Sequence, residues 1–276
     1  MIPENSTEAM TSVDKNNFDG VRIGLALIVV FAHLSALTEL PLFSKFGEYF
    51  DSDFAVKGFF AISGFLVMKS YLTSTTLTAF GEKRFRRIYP AYLCTILLCL
   101  TIGLWTTKLP LTDFLSSTQT IKYLLANAAL LNFLQPTLPL TFEGNPVSAL
   151  NGSLWTIKVE VSLYLLVPML FWLLSKFQSA GAALVLAVAS TLWVYFFKNH
   201  YTGGIGAELS RQFPGQLSYF ALGSVMALDK RLFEKQLLIL GASAALFLAT
   251  SKTGARLFWN LSFTQVWYYF VNQGHK

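Results

Sequence analysis

Apolar runs of about 15 to 22 residues recur along almost the whole chain, separated by short polar connections. A bilayer core takes roughly 20 helical residues to cross. The pattern therefore predicts crossings at about 20–38, 54–72, 88–106, 121–135, 154–175, 180–198, 213–228, 236–250 and 257–272. The fourth run is the shortest, and the stretch QPTLPLTFEGNPVSALNG that follows it is rich in Pro, Gly and Asn and reads as a loop. The expected fold is all-α: a polytopic transmembrane helical bundle of about eight to nine spans, with the fourth run read as re-entrant. No stretch is long and polar enough to form a second domain. Residues 1–276 are expected to make one integral-membrane domain, with 1–17 as a polar N-terminal segment.

Composition sharpens this picture. With 54% hydrophobic and 13% charged residues, the chain does not resemble a soluble domain. The net charge of +6 raises the question of nucleic acid, but Lys and Arg fall mainly in the connections, where membrane topology accounts for them. Lys69, Lys83, Arg84, Arg86 and Arg87 crowd one connection. Positive charge collects on the cytoplasmic side, so that connection and the N-terminus are expected inside. With the fourth run re-entrant, Lys230, Arg231 and Lys235 fall inside as well. The expected setting is the inner (cytoplasmic) membrane, with the lipid bilayer as partner and no nucleic acid. The first seventeen residues form no basic n-region, so a cleaved signal peptide is not expected. Cys94 and Cys99 lie about 7.5 Å apart along one helix, too far for a bridge. Glu39, Glu48, Asp51 and Asp53 read as a solvated outer loop. Metal-ligand spacing, a phosphate-cradling Gly loop and a serine-hydrolase elbow are all missing, so no metal is expected.

Three constellations carry chemistry. Arg22 and His33 stand eleven residues apart, within about 20° of one helix face and about 16 Å along the axis. Ionisable groups at bilayer depth cost on the order of 2.5 to 3.5 kcal/mol each, which points to a polar cavity or pathway. Asp19 sits one turn before Arg22, where a side-chain pair offsets part of that cost. Arg22 also reads as a snorkelling interfacial cation, and His33 as a histidine bonded to a nearby carbonyl. As the side chain that titrates most readily near neutral pH, His33 is the natural general base for a hydroxyl. In GFFAISGFLV, Gly58, Ala61 and Gly64 let backbones approach closely, while Ser63 offers a hydroxyl. In SLWTIKVEVSLY, Glu160 is a carboxylate in an apolar helix, with Tyr164 one turn on and Trp155 five residues earlier. It reads either as half of an ion pair, with Lys158 or Arg22, or as a group that tunes His33 or binds substrate. Asn151 and Ser153 are positioned to complete a polar mouth at that helix start.

Four segments in order resemble the integral-membrane acyltransferase 3 family: FDGVRIGLALIVVFAH, GFFAISGFLV, RFRRIYPAY and SLWTIKVEVSLY, with weaker similarity through FPGQLSYFALGSVMA. The resemblance implies transfer of an acyl group, acetyl first, from acyl-CoA to a hydroxyl of a carbohydrate or lipid-linked glycan of the cell envelope. It implies His33, Arg22 and Glu160 in catalysis, Arg84, Arg87 and Ser63 toward the donor, and Trp155 and Tyr164 toward the acceptor. Guanidiniums suit the pyrophosphate and 3′-phosphate of coenzyme A, and Arg84 and Arg87 are the residues expected to hold it, ahead of Lys83 and Arg86. A transporter or flippase of an envelope precursor is the runner-up, because intramembrane charge suits it equally. The family runs to about ten spans, so an inactive truncated homologue is a third reading.

Overall fold

The computed structural model describes residues 18–37, 52–143, 148–177, 179–201 and 204–228, and every regular element among them is helical. The helices are α1 (Phe18–Leu37), α2 (Ser52–Leu72), α3 (Leu77–Thr106), α4 (Leu111–Ser116), α5 (Thr118–Ala128), α6 (Trp155–Lys176), α7 (Ser179–His200), α8 (Gly204–Ser210) and α9 (Phe213–Leu228). Five of them, α1, α2, α3, α6 and α7, are long and apolar enough to cross a membrane, and the chain is a multi-pass membrane protein. The predicted spans at 236–250 and 257–272 lie outside the described residues. So do segment 1–17, Glu39, Glu48, Asp51, Lys230, Arg231 and Lys235.

The chain divides into two compact units, Met1–Ile62 with Lys230–Lys276, and Ser63–Asp229. In the first, α1 buries only Phe18 and Leu25, and Ile23, Leu27, Val30 and Leu37 are exposed. Lipid tails are as apolar as leucine, so such a helix has no solvent reason to hide these side chains.

The second unit holds most of the described helices. Hydropathy predicted a span from about residue 88, but α3 begins at Leu77. Thr76, in extended backbone, caps the helix by accepting from the Ala79 N–H at 3.1 Å. Its 30 residues reach about 45 Å against about 30 Å of hydrocarbon, so hydropathy marks only the lipid-crossing part. Lys83, Arg84, Arg86 and Arg87 accordingly stand on helical turns rather than in a loop.

The fourth apolar run folds back along α3. Its helix, α5, has 11 residues and reaches about 16 Å, half a crossing. The hydroxyls of Tyr89 and Tyr92 donate to the carbonyls of Ala128 (3.0 Å) and Asn127 (2.9 Å), which places the end of α5 beside the middle of α3. The chain then turns through Leu130, whose φ of 62° is left-handed, and climbs back. Leu138 fills the space a side chain at Gly103 would need, and the Thr107 hydroxyl donates to the Pro139 carbonyl at 2.9 Å. Non-helical backbone at this depth needs internal partners. The Asn127 amide supplies one at the Gln135 carbonyl, 3.5 Å away, and the Gln135 amide supplies another at the Thr137 carbonyl, 2.9 Å away. Tyr92, Ile96, Cys99, Phe114, Tyr123, Leu138 and Leu154 close a core around this hairpin. Cys94 and Cys99 are both free.

Candidate functional site

Glu160 and Tyr164 are four residues apart on α6 and share one face. Around them α6 is fully buried at Val159, Leu163 and Val167, so an unpartnered carboxylate here would be costly. Two hydroxyls answer it. Ser63 of α2 donates to Glu160 Oε1 at 3.1 Å, and Tyr164 donates to the same oxygen. Ser63 Oγ lies 3.4 Å from Tyr164 Oη, closing a triangle. Both bonds converge on Oε1, and among the described residues Oε2 accepts none.

The position of Ser63 is set by its neighbour. A Cβ on Gly64 would collide with the Phe220 carbonyl of α9, so only glycine allows this approach. The Ser224 hydroxyl donates to the Phe220 carbonyl at 2.9 Å and lies 3.3 Å from the Gly64 carbonyl, tying α9 to α2 just behind Ser63.

Arg84, on the second turn of α3, meets the triangle from the side. Its guanidinium carbon lies 5.8 Å from the Tyr164 ring centroid and 6.0 Å from that of Phe80. Tyr71 buttresses this aromatic wall, with its ring 5.4 Å from Phe80 and 5.5 Å from Phe171. Arg84 Nη2 donates to Ser70 Oγ at 3.0 Å, and its Nε is buried without a partner among the described residues. Lys83 Nζ donates to Ser74 Oγ at 3.2 Å, and Ser74 Oγ donates in turn to the Ser70 carbonyl at 2.7 Å. Arg86 is different, because Glu82 pairs with it at 2.6 Å on the exposed surface. Arg87 is exposed and has no carboxylate within ion-pair distance among the described residues.

Ser63, Arg84, Glu160 and Tyr164 thus come together from three helices. Trp155 does not join them. It opens α6 about 180° around the helix from Tyr164, and its ring lies 5.7 Å from the Arg211 guanidinium carbon. Asn151 and Ser153 spend their side chains on each other, with the serine hydroxyl donating to Asn151 Oδ1 at 2.6 Å. Sequence reasoning passed over Ser70 and Ser74, whose signal is a hydroxyl pair four residues apart in KSYLTSTT, beside the basic run. Lys158 pairs with neither Glu160 nor any other carboxylate among the described residues, and its ammonium sits 4.5 Å from the Phe133 ring centroid.

On α1, Arg22 Nη1 reaches Asp19 Oδ1 at 3.3 Å, the pair that the one-turn spacing predicts. His33 is exposed, and its Nδ1 lies 2.8 Å from the Val29 carbonyl. A carbonyl only accepts, so Nδ1 carries the proton, and Nε2 keeps its lone pair in the neutral ring.

A family model described as an acyltransferase domain matches residues 15–275. Nodulation protein 10 of Rhizobium leguminosarum bv. viciae is 35% identical over 197 residues, covering 67% of this chain and 52% of that protein. An O-acetyl transferase of Shigella phage Sf6 is 32% identical over 154 residues, covering 55% of this chain and 44% of that protein. The chain spans about half the length of the curated relatives it matches. No solved structure matches.

Proposed function

The chain belongs to the acyltransferase-domain family, and on that premise we propose that it moves an acetyl group from acetyl-CoA to a hydroxyl of an envelope carbohydrate or lipid-linked glycan. The observation that carries the reading is the Ser63–Glu160–Tyr164 triangle, built on the buried Ser63 and Tyr164 around a partly buried Glu160, with Arg84 against it. Structural packing alone does not require a partly buried carboxylate and a partly buried guanidinium against one buried tyrosine, whereas a polar reaction path does. The printed name of the phage relative, an O-acetyl transferase, supports the reaction class.

In the proposed reaction the donor enters from the cytoplasmic end of α3, its phosphates held by Arg84 and Arg87. Nε2 of His33 takes the proton of the acceptor hydroxyl. The hydroxyl oxygen forms a bond to the thioester carbonyl carbon, the carbon–sulfur bond breaks, and coenzyme A leaves as the thiolate, which regains a proton. Arg22, about 16 Å along α1 from His33, offers positive charge to the phosphate end of the donor, and Ser63, Glu160 and Tyr164 offer hydrogen-bonding groups to the substrates. Mass spectrometry of envelope glycans from cells with and without the gene tests this. The expected result is a hydroxyl-linked acetyl group that disappears with the gene; glycans relocated across the membrane but chemically unchanged would instead mark a transporter.

A further inference from the structure

At the connection between α2 and α3, cations are tied to hydroxyls instead of carboxylates. Arg84 donates to Ser70 and Lys83 to Ser74. The Ser74 proton is committed to the Ser70 carbonyl at 2.7 Å, so its lone pairs are left to face the ammonium. A neutral hydroxyl orients a cation without cancelling its charge, whereas Glu82 both orients and neutralises Arg86. Uncancelled positive charge held in fixed geometry is the arrangement that receives a phosphate. The geometry points to a phosphate-binding set that extends from Arg84 to Lys83, Ser70 and Ser74, in which Lys83 reads the terminal 3′-phosphate of the donor.

This assignment rests on the coenzyme A reading above and follows from depth. Coenzyme A carries its groups in the order thioester, pyrophosphate, ribose 3′-phosphate, and the thioester has to travel furthest into the bundle. The pyrophosphate then meets the half-buried Arg84, whose Nε–H has no partner among the described residues and whose planar fork suits paired phosphate oxygens. The 3′-phosphate stays outermost, where Lys83 is exposed and offers a compact point charge to a dianion. Lys83 is the exposed cation bound to the same serine pair as Arg84, whereas Arg87 has no such tie among the described residues.

The test is binding of coenzyme A and of 3′-dephospho-coenzyme A to the purified full chain in nanodiscs. The wild type is expected to favour the phosphorylated form about tenfold. Lys83→Ala is expected to shrink that ratio to about twofold by weakening coenzyme A alone, Ser74→Ala to shrink it partway, and Lys83→Arg to keep most of it. Lys83 is exposed, so these variants are expected to fold, which thermal unfolding checks. Equal binding of the two nucleotides by the wild type, or an unchanged ratio in Lys83→Ala, overturns the assignment while leaving the donor reading intact. If neither nucleotide binds the wild type, the coenzyme A reading falls, and the 3′-phosphate assignment falls with it.

Discussion

Ser63 and Glu160, 97 residues apart in the chain, meet at 3.1 Å. The serine donates to the oxygen that Tyr164 also reaches, so both hydroxyls serve one carboxylate oxygen, and among the described residues the other accepts no hydrogen bond. A carboxylate retained in an apolar helix is worth its desolvation only if its charge or its accepting power is used.

Glu160→Gln keeps the size of the side chain and one accepting oxygen but removes the charge. Acetyl transfer is expected to fall on the order of 10²-fold, with protein level in the membrane unchanged. Transfer within twofold of wild type, measured at matched protein level, would leave Glu160 with a packing role alone.

Ser63→Ala and Tyr164→Phe each remove one donor from a partly buried charged acceptor, a loss of about 1 to 2 kcal/mol. Because both donors serve Oε1, their effects are expected to be non-additive by about 0.5 kcal/mol or more. Thermal unfolding of the two single variants and the double variant in one detergent measures this. Strict additivity would mean that the hydroxyls act independently.

Gly64→Ala puts a Cβ into the Phe220 carbonyl, where backbone on both sides leaves little room to give. A destabilisation of about 2 kcal/mol or more is expected, seen as a lower unfolding temperature and lower membrane yield. Gly81→Ala is the internal control. That exposed helical glycine has nothing within 4 Å of its would-be Cβ, and the change is expected to be neutral or to stabilise by up to about 1 kcal/mol.

Arg84→Lys keeps the charge but loses the planar fork between the Phe80 and Tyr164 rings. The KM for acetyl-CoA is expected to rise about tenfold or more, which corresponds to about 1.4 kcal/mol. Arg86→Ala, at an exposed residue already neutralised by Glu82, is expected to leave KM within about twofold. Steady-state kinetics on the two variants side by side separates a specific site from a general attraction to positive charge.

The residues differ in how much the sequence could disclose. Asp19 with Arg22 was legible because helical spacing alone makes them neighbours. The same spacing put Tyr164 one turn from Glu160, but the partners read for that carboxylate were Lys158, Arg22 or His33, and it is Tyr164 that donates to it. The bond from Ser63 to Glu160 was not legible, because it depends on how α2 packs beside α6, and the close approach at Gly64 settles that through α9. Trp155 stands close to Glu160 in the chain yet faces Arg211, a contact supplied by the segment after α8. The basic run looked like a loop because charge lowers hydropathy, while the cap at Thr76 and continuous backbone bonding make it helix. The preference for Arg84 over Arg86 rested on family resemblance, and Glu82 supplies a physical reason for it. Lys83 was passed over because its serine partner lies across a helix connection.

The central proposal is that the chain moves acetyl from coenzyme A directly to an acceptor hydroxyl, with the imidazole of His33 as the base. It is tested most directly by supplying acetyl-labelled acetyl-CoA to membranes containing the wild type or His33→Ala and following the label. The wild type is expected to release free coenzyme A and place the label in an alkali-labile ester on a glycan, and His33→Ala to do neither at equal protein level. Equal labelling by both proteins would contradict the role of His33, and no labelled product from the wild type would contradict the acyltransferase account itself.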